Sequence, residues 1–170
     1  EVLKSMRSAI EADHRALYNN SSILSFFTDP TVQRHWAEYA DGGKGYGLVF
    51  DFATPWPLKI FPDKPDLQCV PFPVEYSPHR EFPAIELSIA PVNPSTAFDE
   101  IKRALLTKSV DWSHQREQRL IRVGIPAGPV LFPSGSLRAV LLGYSIETVH
   151  RTQLLELAGV RVPPLPVFEM

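Results

Sequence analysis

Gln115 and Glu117 stand two residues apart in the run Gln115-Arg116-Glu117-Gln118-Arg119-Leu120. On a strand, that spacing projects both side chains from one face, because successive side chains alternate. If the face lines a cleft, the pair offers a carboxylate and an amide at similar depth. Arg119, two residues further on, can hold that carboxylate or meet a phosphate. Trp112 is expected to be an aromatic of the core or of the cleft wall. The plainer alternative makes Arg116, Glu117 and Arg119 a solvated strand face or a structural ion pair, and it stands slightly ahead.

A second candidate is Asp41-Gly42-Gly43-Lys44-Gly45. Glycines permit positive φ and let backbone donors approach a phosphate, with Lys44 supplying charge. The GxxxxGK[ST] spacing of a phosphate-binding loop is missing. A helix-to-strand turn is therefore the favoured reading, with Lys44 facing a pyrophosphate as a combined one. Other groups carry less. His114 and Glu117 have an H-x-x-E spacing without a clear third ligand, so no metal is expected. Ser25 and Thr28 lack an evident base. Ser134-Gly135-Ser136 lacks the strand–GxSxG–helix setting of a nucleophile elbow. Cys69 sits among apolar residues and is expected to be buried.

The elements that must position these groups follow from periodicity. Val2, Met6, Ile10 and Leu17 predict a helix over 2–18, and Ile23 to Phe27 a short strand. A second helix is expected over 31–40, with Val32, Trp36 and Tyr39 or Ala40 on one face, stopped by Asp41-Gly42-Gly43. From Tyr46 the period is two, placing Tyr46, Leu48, Phe50 and Phe52 on one strand face. Val70, Phe72, Val74 and Tyr76 alternate likewise, but Pro71 and Pro73 confine that strand to a sheet edge. A helix is expected over Thr96 to Leu106, with Phe98, Ile101 and Leu105 as its buried stripe. Strands follow over 118–124 and 137–142. A last helix over 146–158 turns Ile146, Val149, Leu154 and Leu157 inward, and a final strand lies within 160–167. The expected fold is α+β: a mixed or mainly antiparallel sheet with about four helices packed on it.

The chain has 170 residues, which suits a single domain. Ten of its 17 prolines fall between Pro55 and Pro94, predicting long Pro-rich loops, edge strands and turns over 53–69 and 77–95. A net charge of -2 without a basic run disfavours broad nucleic-acid binding. The lone Cys69 cannot close an internal disulfide and suits a reducing, cytoplasmic compartment. No apolar stretch approaches the roughly 18 residues of a membrane span. The chain opens at Glu1 directly on a helical pattern, and a natural N-terminal extension is expected.

Two blocks carry a resemblance. One is Leu24-Ser25-Phe26 followed by Trp36-Ala37-Glu38-Tyr39-Ala40 and Lys44-Gly45. The other is Thr107-Lys108-Ser109, Trp112, then Gln115-Arg116-Glu117-Gln118-Arg119, with Leu142-Gly143 closing. Together, over about residues 23–143, they resemble the bacterial family catalogued as domain of unknown function 2971. That family has tryptophan-x-x-tyrosine-alanine, lysine-glycine, lysine-serine and glutamate-x-glutamate-x-arginine elements in the same order. Gln115 stands where the family usually has the first glutamate, and the family's leading segment is absent.

At the level of a motif, Gln115-x-Glu117 is also similar to the catalytic strand of ADP-ribosyltransferases. That resemblance implies an NAD-using toxin or defence effector. Glu117 would be its catalytic carboxylate and Gln115 would orient the acceptor. Lys44 and Arg119 would contact phosphate or hold Glu117, while Tyr39, Tyr46 and Trp112 would wall the nicotinamide end. The alternative is a non-enzymatic module, in which the Trp36/Tyr39 helix, the glycine turn and the stiff Pro-rich loop form a groove for a ligand or protein partner.

Overall fold

The computed structural model of the chain describes residues 19–53, 55–58, 70–78 and 102–170. The helix expected over 2–18, Cys69, and most of the helix expected over 96–106 lie outside them. The fold is α+β, with three mostly antiparallel or mixed sheets among the described residues. The chain divides into two compact units. The first comprises Glu1–Thr28 and Pro57–Leu131, the second Asp29–Trp56 and Phe132–Met170.

In the first unit, strand β1 (Ser22–Phe27) pairs antiparallel with β6 (Glu117–Arg122), and β3 (Phe72–Pro73) pairs on the other side of β6. The edge position of β3 matches its prolines, which bring no N–H to a ladder. The segment expected as one strand breaks after Pro73. Strand β4 (Glu75–Ser77) leaves that sheet and pairs in parallel with β5 (Thr107–Ser109). Residues 102–106 are helical and run directly into β5. On one face of β6, Ile121 joins Leu106 and Val123 in a buried apolar cluster, with Phe72 and Leu105 packed against it. Leu120, on the opposite face, is buried as well.

In the second unit, helix α1 (Gln33–Tyr39) leads through a tight turn into strand β2 (Tyr46–Phe50). β2 pairs antiparallel with β7 (Leu137–Leu142), which pairs in parallel with β8 (Val167–Glu169). Helix α2 (Thr148–Gly159) lies between β7 and β8 in the chain. The α1 face buries His35 and Trp36, with the Trp36 indole donating to Pro30 O at 2.8 Å; Tyr39 points outward. On β2 the strict alternation fails at a register shift between Val49 and Phe50. Tyr46 and Leu48 stay exposed, while Phe50 and Phe52 gather on the buried Trp56 at ring separations of 5.2 and 4.9 Å. On α2, Ala158 is buried and Leu154 half-buried, but Val149 and Leu157 are exposed. The final strand begins at Val167, beyond Pro163, Pro164 and Pro166, since proline cannot donate to the ladder.

Candidate functional site

The chemistry-bearing residues of the first unit meet at Glu117. Its strand neighbour on the same face is Arg119, and Arg119 is the direct cross-strand partner of Ser25. All three side chains therefore stand on one side of the β1–β6 ladder. Arg119 donates from Nε to Glu117 Oε1 at 2.7 Å and from Nη2 to Oε2 at 3.2 Å. Ser25 Oγ donates to Oε1 at 2.5 Å.

A fourth member arrives from β5. Parallel pairing with β4 sets Tyr76 opposite Lys108. The Tyr76 hydroxyl accepts the Glu117 backbone N–H at 2.8 Å, and the Lys108 ammonium donates to Glu117 Oε2 at 2.9 Å. Lys108 also donates to Gln115 Oε1 at 2.5 Å. Gln115 is not on the strand. It ends a 3-10 turn over Val110–Gln115, and Arg116 then takes a left-handed φ of 44°. A residue with a Cβ adopts that region at some cost. Thr28 Oγ1, donating to Arg116 O at 3.2 Å, braces it. This reversal, rather than strand alternation, brings Gln115 and Glu117 to the same lysine.

The knot is deeply set. The Glu117 side chain is 3% exposed and Gln115 is fully buried, against 14% for the Arg119 side chain and 23% for Lys108. A carboxylate presents about four acceptor positions, and here all four are taken. Burial alone would raise the Glu117 pKa. Hydrogen bonds from Arg119, Ser25 and Lys108, with the charge of Arg119, outweigh that and hold it at about 2. Glu117 is thus a permanent anion near neutral pH and a poor proton acceptor. Ser25 does have a carboxylate partner, supplied from 92 positions away, but one too weakly basic to activate a nucleophile.

Trp112 lies on the 3-10 turn, 37% exposed, with the Lys108 ammonium 5.3 Å from its ring centroid. The structure thus gathers Gln115, Glu117 and Arg119 around Lys108 and sets Trp112 beside it. Lys44, Tyr39 and Tyr46 belong to the second unit. There the Lys44 side chain is mostly exposed, 3.7 Å from Asp41 Oδ2. The glycine turn spends its donors internally: Gly43 N and Gly45 N both bond Ala40 O. It also docks onto the end of β7, where Gly43 O accepts from Ser145 N and Gly45 O from Gly143 N.

Lys108, Ser25 and Tyr76 escape a reading of motifs. Lys108 carries a faint signal, as the charge in the Lys-Ser element that precedes Trp112. Ser25 also stands in a resembling block, Leu24-Ser25-Phe26, but nothing there points to Glu117, and Tyr76 carries no signal because its partner is distant in the chain. Among the described residues, no group of three or more His, Cys, Asp or Glu side chains could hold a metal ion, and no helix is long and apolar enough to cross a membrane. Comparison of the chain with protein-family models, curated proteins and solved structures finds no match.

Proposed function

We propose that the charged knot of the first unit is a nucleotide-binding site, with NAD the first ligand to try. One observation carries this reading. Two cations converge on one buried carboxylate, leaving one positive charge in excess among the described residues of the hydrogen-bonded cluster. Uncompensated charge is costly away from water. A phosphate group seated beside the knot would supply a counter-charge, with the Lys108 ammonium already held in place by Gln115 and Glu117. The resemblance to a bacterial family and the Gln-x-Glu spacing add support for a cytoplasmic bacterial protein that handles NAD. The test is thermal unfolding with NAD, ADP-ribose and AMP at millimolar concentration. A melting temperature that climbs with ligand concentration is expected. Identical melting with and without all three would end the proposal.

A second reading makes the same site an ADP-ribosyltransferase-like enzyme. The observation favouring it is that Ser25, on an exposed stretch of β1, is the neutral donor among the partners of the ionised Glu117. A ribose hydroxyl can take its place at Oε1. The anion would then stabilise positive charge while the bond to nicotinamide breaks, its electron pair leaving with nicotinamide. An acceptor nucleophile would form the new bond and lose its proton to water. Nicotinamide release measured for the wild type and a folded Glu117→Gln variant decides this, and equal rates exclude it.

A further inference from the structure

We infer that Lys108 and Trp112 are the residues that touch the ligand, taking a phosphate and the flat ring attached to it, while Glu117 and Gln115 are positioning residues. This rests on the nucleotide-site reading and names its contacts. The two cations of the knot are not equivalent. Arg119 has every nitrogen engaged: Nε and Nη2 on Glu117, and Nη1 on Leu105 O. Lys108 has three donor hydrogens. Gln115 and Glu117 take two of them, and no acceptor for the third is found among the described residues. Lys108 is also the more exposed of the two.

What borders Lys108 narrows the class of anion. Its ammonium lies over the indole of Trp112, one of the exposed large apolar residues of the chain. An aromatic surface adjoining a cation suits an anion that carries a planar ring, since bases stack on indole with little regard to sequence. Free inorganic phosphate would use the ammonium alone. Glu117 and Gln115 fix the ammonium without meeting the ligand, as Gln115 is wholly buried and Glu117 nearly so.

Calorimetry with AMP, adenosine and inorganic phosphate tests this on the whole chain. For the wild type, AMP is expected to bind more tightly than either fragment. Lys108→Met should weaken AMP and phosphate alike, roughly ten- to hundred-fold, as expected for loss of a charge-assisted hydrogen bond. Trp112→Leu should weaken AMP about ten-fold and leave phosphate where it was. Should Lys108→Met not fold, Lys108→Arg replaces it. That variant should keep phosphate binding, and abolition of binding there overturns the inference. So does a Trp112→Leu protein that still prefers AMP over phosphate as strongly as the wild type. A folded Lys108→Met protein that binds AMP as tightly as the wild type refutes the inference while sparing the nucleotide site. Wild-type protein that binds no nucleotide at all removes both.

Discussion

Ser25 and Arg119 face each other across the β1–β6 ladder and donate to the same atom, Oε1 of Glu117. One contributes a charge and the other a neutral hydroxyl, so the same oxygen is pinned twice from two strands. With Lys108 closing on Oε2, the carboxylate ties together β1, β5 and β6. The residue most suggestive of chemistry in the sequence is therefore also a mechanical centre of its unit.

Removal of that charge should be severe. Glu117→Gln leaves Lys108 and Arg119 beside an amide that cannot balance either. Loss of about 3–5 kcal/mol is expected, as for one partner of a buried ion pair. Urea denaturation measures it. A midpoint within experimental error of the wild type would show that the carboxylate stabilises nothing.

Acid should act through the same group. Glu117 titrates at about 2 in the folded protein, against roughly 4.3 for an unfolded glutamate. Because the folded pKa is the lower, the unfolded chain takes up the proton first. The stabilisation is complete above the unfolded value and drains away as pH falls towards the folded one. Urea midpoints from pH 6 down to pH 2 should fall more steeply for the wild type than for Glu117→Gln. Parallel profiles would contradict the pairing.

The second unit offers an independent check at Gly43. Its φ of 86° disfavours any side chain, and an added Cβ would lie 2.4 Å from the Tyr144 ring. Gly43→Ala should cost roughly 1–3 kcal/mol in backbone strain alone, with the displaced ring adding to it. A Gly43→Ala/Tyr144→Ala pair relieves the clash but not the strain, so it should recover part of the loss in thermal unfolding. Full recovery would place the whole effect in the ring.

Much of the framework is legible in the sequence where one period dominates. Ile23 to Phe27 announces itself as a short apolar run, Leu137 to Leu142 as one ended by Gly143, and the Trp36 helix by its spacing and its glycine stop. Legibility ends where tertiary context overrides period. Phe50 and Phe52 follow Trp56 instead of Tyr46, because a register shift re-aims them. On α2 the buried position is Ala158, while Val149 and Leu157 face water. The division into two units is hidden because each is assembled from separate stretches of chain.

The site is legible in part. The pairing of Arg119 with Glu117 is a local i, i+2 relation on a strand, which a careful reading of spacing can weigh. Gln115 reaches the same place through a left-handed Arg116, a backbone state that the letters do not declare. Ser25 and Lys108 depend on pairings set by the whole topology, and a single sequence carries no record of which strands will meet.

That long-range pairing has a cost in time. Ser22–Phe27 emerges from the ribosome well before its partner strand, with Ser25 preceding Glu117 by 92 positions. At ordinary elongation speeds, the apolar stretch Ser-Ile-Leu-Ser-Phe-Phe waits for roughly 5–20 seconds with nothing to pair against. Asp51 and Arg138, separated by 87 positions, impose a similar delay on β2. Until Glu117–Arg122 and Leu137–Leu142 have been made, neither early strand has the neighbour that its backbone donors and acceptors meet in the folded chain.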